Sequence, residues 1–194
     1  MVKSIKIYKN FNINNDHKGS IILIGNFDGL HLGHQRLFAQ AKKFKKKYSL
    51  KIGVLTFEPM PKMYFNSKIK NFRISNRNQK INLLKKLKVD FVITKKFNRN
   101  FSKIKSVDFI EKILKKKLQA KFIFVSNNFR FGNKREGDVK QLIKYEKKSK
   151  FKIIKPKPLF IKKKIVSSSF IRNCLQIGKL DKANQLLSRN WSIE

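Results

Sequence analysis

Two of the chain's three histidines lie three residues apart in the segment 24–34, which reads IGNFDGLHLGH and has glycine at every fourth position. Glycine lets a backbone approach a ligand closely, and N–H groups at the start of a helix attract anions. Two imidazoles directed at one point can also donate hydrogen bonds to phosphate oxygens as negative charge develops in a transition state. The segment therefore predicts phosphate chemistry. The residues concerned are Gly25, Gly29, Gly33, His31 and His34.

This segment differs from the common phosphate-binding loops and lacks the ligands of a zinc site. It is not a Walker loop, because no Gly-Lys-Ser/Thr follows, and it is not a G-x-G-x-x-G dinucleotide fingerprint. Zinc would need a third and a fourth ligand. The remaining histidine, His17, lies in a polar N-terminal segment, and Cys174 is the only cysteine. We expect Cys174 to be a small buried hydrophobe, and no internal disulfide can form.

The hydrophobic pattern predicts the elements that position this segment. Short apolar runs, typical of buried strands, occupy 20–27, 51–59, 90–94, 121–126 and 151–156. Helical periodicity occupies 33–48, 77–89, 106–118, 137–148, 167–178 and 180–189. Strands that alternate with helices predict an α/β, Rossmann-like fold with a mostly parallel sheet and helices on both faces. Ligands of such folds bind at the carboxyl ends of the strands, where the histidine segment begins.

Composition favours one packed domain. The chain has 194 residues, of which 41% are hydrophobic, and includes 18 Phe. No apolar run reaches the length of about 18 residues that a membrane span requires, and the N-terminal residues lack the apolar core of a secretory signal. We expect a soluble, cytoplasmic protein with no membrane association.

The formal net charge of +37 suggests affinity for polyanions at low salt. The charge comes mainly from lysines spread along the whole chain, and no cluster of arginine with aromatic residues is apparent. We therefore expect nucleic acid to bind only non-specifically. The sequence does not indicate an oligomeric state.

The segment GNFDGLHLGH resembles the His-x-Gly-His motif of the nucleotidyltransferase superfamily. In its Asn-Phe-Asp-Gly context it is similar to the adenylyltransferase (FAD synthetase) module of prokaryotic bifunctional riboflavin kinase/FAD synthetases. Three later segments resemble that family in the same order. TFEPMP (56–61) is similar to Phe-Glu-Pro-His-Pro, and 124–138 is similar to a Val-Gly-x-Asp/Asn-Phe-x-Phe-Gly loop. Residues 166–193 are similar to a Ser-Ser-Thr-x-Ile-Arg helix with a Leu-Leu-Gly-Arg ending, so the resemblance covers 20–193.

The resemblance implies a nucleotidyltransferase fold and an ATP:FMN adenylyltransferase, which uses Mg²⁺ and produces FAD and pyrophosphate. It implies that the α-phosphorus is stabilised by His31, His34 and Arg172. It implies an ATP site formed by Gly25, Asn26, Phe27, Gly29, Gly33, Ser167 and Ser168. It implies a flavin site formed by Phe57, Pro59, Pro61, Asn128, Phe129 and Phe131. Asn128 is also the implied contact to magnesium.

The chain departs from the family pattern at four positions. Met60 replaces a His, Ser126 a Gly, Ser169 a Thr and Ser188 a Gly. The family's riboflavin kinase domain has no counterpart in the sequence. We therefore expect a single FMN adenylyltransferase domain over residues 1–194 that does not phosphorylate riboflavin.

Two alternatives stay open. The acceptor could be another phosphate monoester, although the Phe-rich segments 57–65 and 127–131 favour a planar one. Alternatively, a basic RNA-binding protein could retain the fold without catalysis. That alternative predicts salt-sensitive RNA binding that survives replacement of His31 and His34.

Overall fold

A six-stranded parallel sheet organises the protein, whose computed structural model describes residues 5–66, 68–69 and 73–193. The strand order is β1-β4-β3-β2-β5-β8, and every pair in it is parallel. Its strands are β1 (Lys6–Tyr8), β2 (Ile21–Ile24), β3 (Ile52–Glu58), β4 (Phe91–Lys96), β5 (Phe122–Phe124) and β8 (Lys152–Ile154). The chain builds outward from β2 in one direction through β3 and β4, and in the other through β5 and β8. The order therefore reverses between β2 and β5.

Four short strands form two separate antiparallel pairs. They are β6 (Arg130–Phe131) with β7 (Gly137–Asp138), and β9 (Phe160–Ile161) with β10 (Lys164–Ile165). The helices are α1 (Leu32–Tyr48), α2 (Pro61–Phe65), α3 (Arg77–Lys86), α4 (Arg99–Ser102), α5 (Ser106–Asp108), α6 (Val139–Ser149), α7 (Ser168–Gln176) and α8 (Leu180–Leu187). After α5 the chain continues as a π-helix over Phe109–Lys117.

Helices cover both faces of the sheet because each central strand is apolar on both sides. Side chains alternate along a strand, so Ile22 and Ile24 join one buried cluster, which also contains residues of the π-helix and α6. Ile21 and Leu23 join the other, which contains residues of α1 and α3. A third cluster lies between α7 and α8 and includes the buried Cys174.

Side-chain caps start several of these helices. The Asn76 side chain accepts from the Gln79 N–H, and the Gln79 side chain accepts from the Asn76 N–H, which is a complete capping box at the start of α3. Asp138 caps α6 and Ser167 caps α7 through the same kind of bond from the side chain to a backbone N–H. These bonds satisfy N–H groups that have no partner inside a helix.

The predicted fold is confirmed, and each predicted strand and helix has a counterpart. The segment 106–118 is helical, but most of it has π rather than α geometry. The sequence analysis did not predict β1 or the two antiparallel pairs. Their strands have two or three residues and lack the apolar runs that marked the equally short β5 and β8. None of the described residues forms a helix that is both long and apolar enough to cross a membrane.

Candidate active site

The loop after β2 begins where the strand order reverses, and it adopts an unusual backbone conformation. Phe27, Gly29 and Leu30 have φ angles of 48°, 76° and 43°, all in the left-handed region. Only glycine enters that region without steric cost, so Phe27 and Leu30 store strain. Their side chains are buried in the same core cluster as Phe38, which holds them in place. Strained backbone of this kind is concentrated at functional sites.

Two glycines of this loop lie so close to neighbouring residues that a side chain there would crowd them. A Cβ on Gly29 would lie 2.8 Å from Cγ2 of Ile74. A Cβ on Gly33 would lie 3.1 Å from the His31 ring and 3.1 Å from the carbonyl oxygen of Val166. Gly33 therefore allows the His31 ring to lie flat against the first turn of α1.

The two motif histidines form a stacked pair at the start of α1. Their ring centroids are 3.7 Å apart, and the ring planes differ by 21°. His31 is the N-cap residue, and its Nδ1 accepts a long hydrogen bond of 3.4 Å from the His34 backbone N–H. Because Nδ1 accepts, the proton of the neutral ring belongs on Nε2. Phe27, which the family resemblance assigns to ATP, is buried. Its ring meets the His34 ring edge-on, with the ring centroids 5.2 Å apart.

Both histidines are neutral near pH 7. Burial lowers the pKa of His31 to about 4, and the positive charges of Arg172 and Arg189 add to the effect. Burial also lowers the pKa of His34 well below its usual value, with further contributions from His31 and Lys80. Nδ1 of His34 is buried and has no hydrogen-bond partner among the described residues. The pair can donate hydrogen bonds to an anion without carrying charge.

A buried carboxylate, Asp28, ties this loop to two helices. It accepts hydrogen bonds from the backbone N–H groups of Ile74 and Ser75, at 3.0 and 3.2 Å, just before α3. It also forms an ion pair with Nη2 of Arg172 on α7, at 2.9 Å. Its backbone oxygen accepts from the Ser168 hydroxyl at 2.9 Å. The sequence analysis assigned Asp28 no role, because no short-range pattern reveals partners 46 and 144 residues away.

Arg189 is a second residue that the sequence analysis left without a role. Its guanidinium donates to the carbonyl oxygen of Gly29 at 2.8 Å and to the Ser75 hydroxyl at 3.2 Å. Arg189, which follows α8, therefore bonds the histidine loop to the segment before α3. Ser188 has a φ of 52°, which explains why glycine suits this position in the family pattern.

The start of α7 places three predicted residues beside the loop. The Ser167 hydroxyl accepts from the backbone N–H of Phe170 at 3.2 Å, and the Ser168 hydroxyl donates to the backbone oxygen of Asp28. Arg172 is in the ion pair with Asp28. All three therefore have protein partners, and the helix N-terminus provides the N–H groups that favour an anion.

An aromatic cavity of about 470 Å³ lies at the same edge of the sheet, beyond the ends of β3 and β4. Four of the residues expected at the flavin line it, namely Phe57, Pro61, Phe129 and Phe131. Further aromatic walls come from Phe97, Phe101 and Phe109, and its cationic side chains are Lys62, Arg130, Lys134 and Arg135. Pro59, which follows a cis peptide bond, and Asn128 are not among its lining residues.

The remaining expected positions lie around this cavity. Asn128 is exposed and lines a neighbouring cavity together with Phe129; its Oδ1 accepts from the Ser126 hydroxyl at 2.9 Å. Met60 is buried and precedes α2, so it packs instead of presenting a polar group. The backbone oxygen of Asn26 accepts a long bond, 3.4 Å, from the Thr56 hydroxyl.

Imidazoles beyond the end of a central parallel strand, next to a helix N-terminus, define an α/β protein with a candidate anion-binding site. The comparison with family models gives the particular family. The model described as FAD synthetase matches residues 13–170. The chain belongs to the FAD synthetase family.

Curated relatives agree with this assignment. The chain is 38% identical over 183 residues to the bifunctional riboflavin kinase/FMN adenylyltransferase of Buchnera aphidicola from Schizaphis graminum, covering 94% of this chain and 59% of that protein. It is 32% identical over 176 residues to the protein of the same description from Escherichia coli K12, covering 91% and 56%. The chain thus spans less than two thirds of the length of these relatives.

A solved structure shares the fold. A chain described as a macrolide-efflux protein from Streptococcus pneumoniae superimposes with a TM-score of 0.83 at 26% identity. The match covers 97% of this chain and 72% of that chain.

Replacing Asp28 with Asn should destabilise the protein, because the buried ion pair between Arg172 and the Asp28 carboxylate would be lost. Breaking a buried pair costs about 3 kcal/mol or more, and we expect the low end since the Arg172 side chain retains 17% exposure. The matched control is Asp16→Asn, whose pair with Lys51 is exposed and screened by solvent, so its loss should change stability far less. Urea unfolding of both variants measures the difference, and equal losses would contradict the prediction.

Acid should weaken the fold through His31. Its pKa is about 4 in the folded protein, against the ordinary histidine pKa of 6.5. Between these values the unfolded chain binds the proton and the folded protein does not, so stability is complete above pH 6.5 and declines as the pH falls toward 4. The free energy of unfolding of His31→Gln should depend less on pH in this window. It should not become independent of pH, since burial also lowers the pKa of His17 and His34.

Proposed function

We propose that the chain transfers AMP from ATP to FMN, which produces FAD and pyrophosphate. The observation that carries this proposal is the position of the neutral histidine pair and the aromatic cavity at one edge of the sheet, in a member of the FAD synthetase family. The relatives' descriptions give two activities, riboflavin kinase and FMN adenylyltransferase, and we propose only the FMN adenylyltransferase activity for this chain. We further propose that residues 1–194 act as one adenylyltransferase domain.

In the proposed reaction, an FMN phosphate oxygen forms a bond to the α-phosphorus of ATP. The bond between that phosphorus and the bridging oxygen breaks, and its electron pair leaves with pyrophosphate. No covalent enzyme intermediate is needed, so the protein contributes positioning and charge stabilisation. Nε2–H of His31 and the His34 ring would donate to oxygens on which charge develops. Arg172, held by Asp28, would add positive charge beside the N-terminus of α7.

The aromatic cavity is suited to the flavin ring. A flat, largely apolar ring system gains from stacking against aromatic side chains, and the cavity volume lies within the usual range for small-molecule sites. Phe129 and Phe131 are already stacked, with centroids 5.5 Å apart. The cationic side chains of this cavity, such as Arg130 and Arg135, would attract the FMN phosphate.

Magnesium fits this site as part of the nucleotide substrate. No group of three or more histidine, cysteine, aspartate or glutamate side chains suited to a metal occurs in the part of the chain described. Mg²⁺ commonly binds through substrate phosphates and water with few protein ligands. The exposed Asn128 would provide at most one oxygen, which already accepts from Ser126.

We also propose a cytoplasmic location and no specific nucleic-acid partner. A single, buried cysteine leaves the fold independent of internal disulfides, which suits the reducing cytoplasm. The lysine-rich surface would attract nucleic acid only non-specifically, with an affinity that falls as salt increases.

The central test is FAD formation from ATP, Mg²⁺ and FMN, followed by chromatography. The wild type should form FAD, and His31→Ala/His34→Ala should be slower by at least about 10²–10³-fold, the cost of losing a single donor to a charged transition state. His17→Ala is the matched control. His17 stacks on Phe91, away from the motif, so this variant should lose stability but retain its turnover while folded. Folded wild type that forms no FAD would contradict the proposal, and a screen of other phosphate-monoester acceptors would follow.

The cavity should determine the affinity for flavin. Phe129→Ala removes one wall and should raise the KM for FMN about tenfold, the equivalent of about 1.4 kcal/mol of lost stacking and burial. The KM for ATP should change little. Phe160→Ala provides the control, because Phe160 is exposed on the hairpin of β9 and β10. An unchanged KM for FMN in Phe129→Ala would place the flavin elsewhere.

A further inference from the structure

Lys80 is a buried lysine on the inner face of α3. It is only 5% exposed, although lysine is rarely buried without a partner. It lies one helical turn before Leu84, so the two side chains share a face of the helix. Leu84 is fully buried in the cluster that contains Phe27 and Leu30 of the strained loop. Lys80 therefore belongs to the face of α3 that turns toward the histidine loop.

The acidic groups near Lys80 are bonded to other residues. The electrostatic environment of its ammonium includes the carboxylates of Glu58 and Asp28. Glu58 forms an ion pair with Arg73, and Asp28 is bonded to Arg172 and to backbone N–H groups. Within 5–66, 68–69 and 73–193, Nζ of Lys80 forms neither a hydrogen bond nor an ion pair with any side chain.

An ammonium in this position is costly to the free protein. Burial lowers the pKa of Lys80 more than Glu58 and Asp28 raise it, and the charges of Arg73 and Arg77 lower it further. A buried charge without a bonded partner destabilises a fold. A methionine of similar length would pack without that penalty. The arrangement becomes favourable when an anion enters beside the ammonium.

The packing of α3 indicates where an anion would bind: the residues just before it bond to Asp28 of the histidine loop, and Leu84 shares a buried cluster with Phe27 and Leu30. The charge of Lys80 is one of the causes that lower the pKa of His34, so the ammonium lies within electrostatic range of the imidazole whose Nδ1 is buried and unpartnered among the described residues. The Lys80 ammonium, on the face of α3 that turns toward the strained loop, is a charged donor suited to phosphate oxygens.

We propose that Lys80 binds a phosphate group of the nucleotide, and of the departing pyrophosphate, beside the histidine loop. The inference rests on the proposed function for the identity of the nucleotide. The binding of a polyphosphate anion can be measured without any turnover. Lys80 would thus offset charge on the leaving group, whereas His31 and His34 act on the phosphorus that is attacked.

The test is binding of inorganic pyrophosphate, in the presence of Mg²⁺, to Lys80→Met by titration calorimetry, with thermal unfolding of the free protein in parallel. We expect the affinity to fall at least about tenfold while Tm stays equal or rises. Lys85→Met is the matched control: Lys85 is exposed on the same helix, and its replacement should leave the affinity unchanged. Lys80→Arg, which retains the charge, should recover part of the affinity.

Two results would overturn the proposal. One is an unchanged pyrophosphate affinity in folded Lys80→Met. The other is a lower Tm or loss of folding in both Lys80→Met and Lys80→Gln, which would show that the ammonium holds the fold together. A wild type that binds pyrophosphate but forms no FAD would contradict the proposed function and leave the assignment of Lys80 intact.

Discussion

The Asp28 carboxylate is the interaction on which the rest of the site depends. It is almost completely buried, and it bonds to the residues before α3 and to Arg172 on α7. A buried carboxylate is stable only when its oxygens are fully bonded, so its position requires both helices to dock on the loop. Docking in turn holds Phe27, Gly29 and Leu30 in left-handed backbone conformations. The loop geometry then sets the direction of the two histidines.

Desolvation connects the stability of this region with its chemistry. Burial keeps His31 and His34 neutral, so they can donate hydrogen bonds without repelling the surrounding cations. Burial likewise lowers the pKa of Lys80. Arg172 forms an ion pair with the buried Asp28 carboxylate, and Arg189 and Lys80 lie within electrostatic range of it. This local excess of positive charge favours a bound anion, and the well-packed sheet beneath offsets its electrostatic cost.

The aromatic cavity and the histidine loop draw on different strands of the sheet. The loop after β2 provides polar groups, whereas the ends of β3 and β4 and the segment after β5 provide phenylalanines such as Phe57, Phe97 and Phe129. Because all six strands of the sheet are parallel, their carboxyl ends meet at one edge. The polar histidine loop and the aromatic cavity therefore lie at the same edge of the sheet.

The sequence by itself determined the fold class, since strict alternation of apolar strands with amphipathic helices admits few other architectures. It also indicated the candidate site, because two histidines among regularly spaced glycines form a local pattern. Only the tertiary structure showed that Gly29 packs closely against Ile74 and that the buried Phe27 ring contacts His34. It alone revealed the contacts of Asp28 and Arg189 and the burial of Lys80. Their partners come from distant parts of the chain, and burial and ion pairing depend on three-dimensional packing that no local spacing encodes.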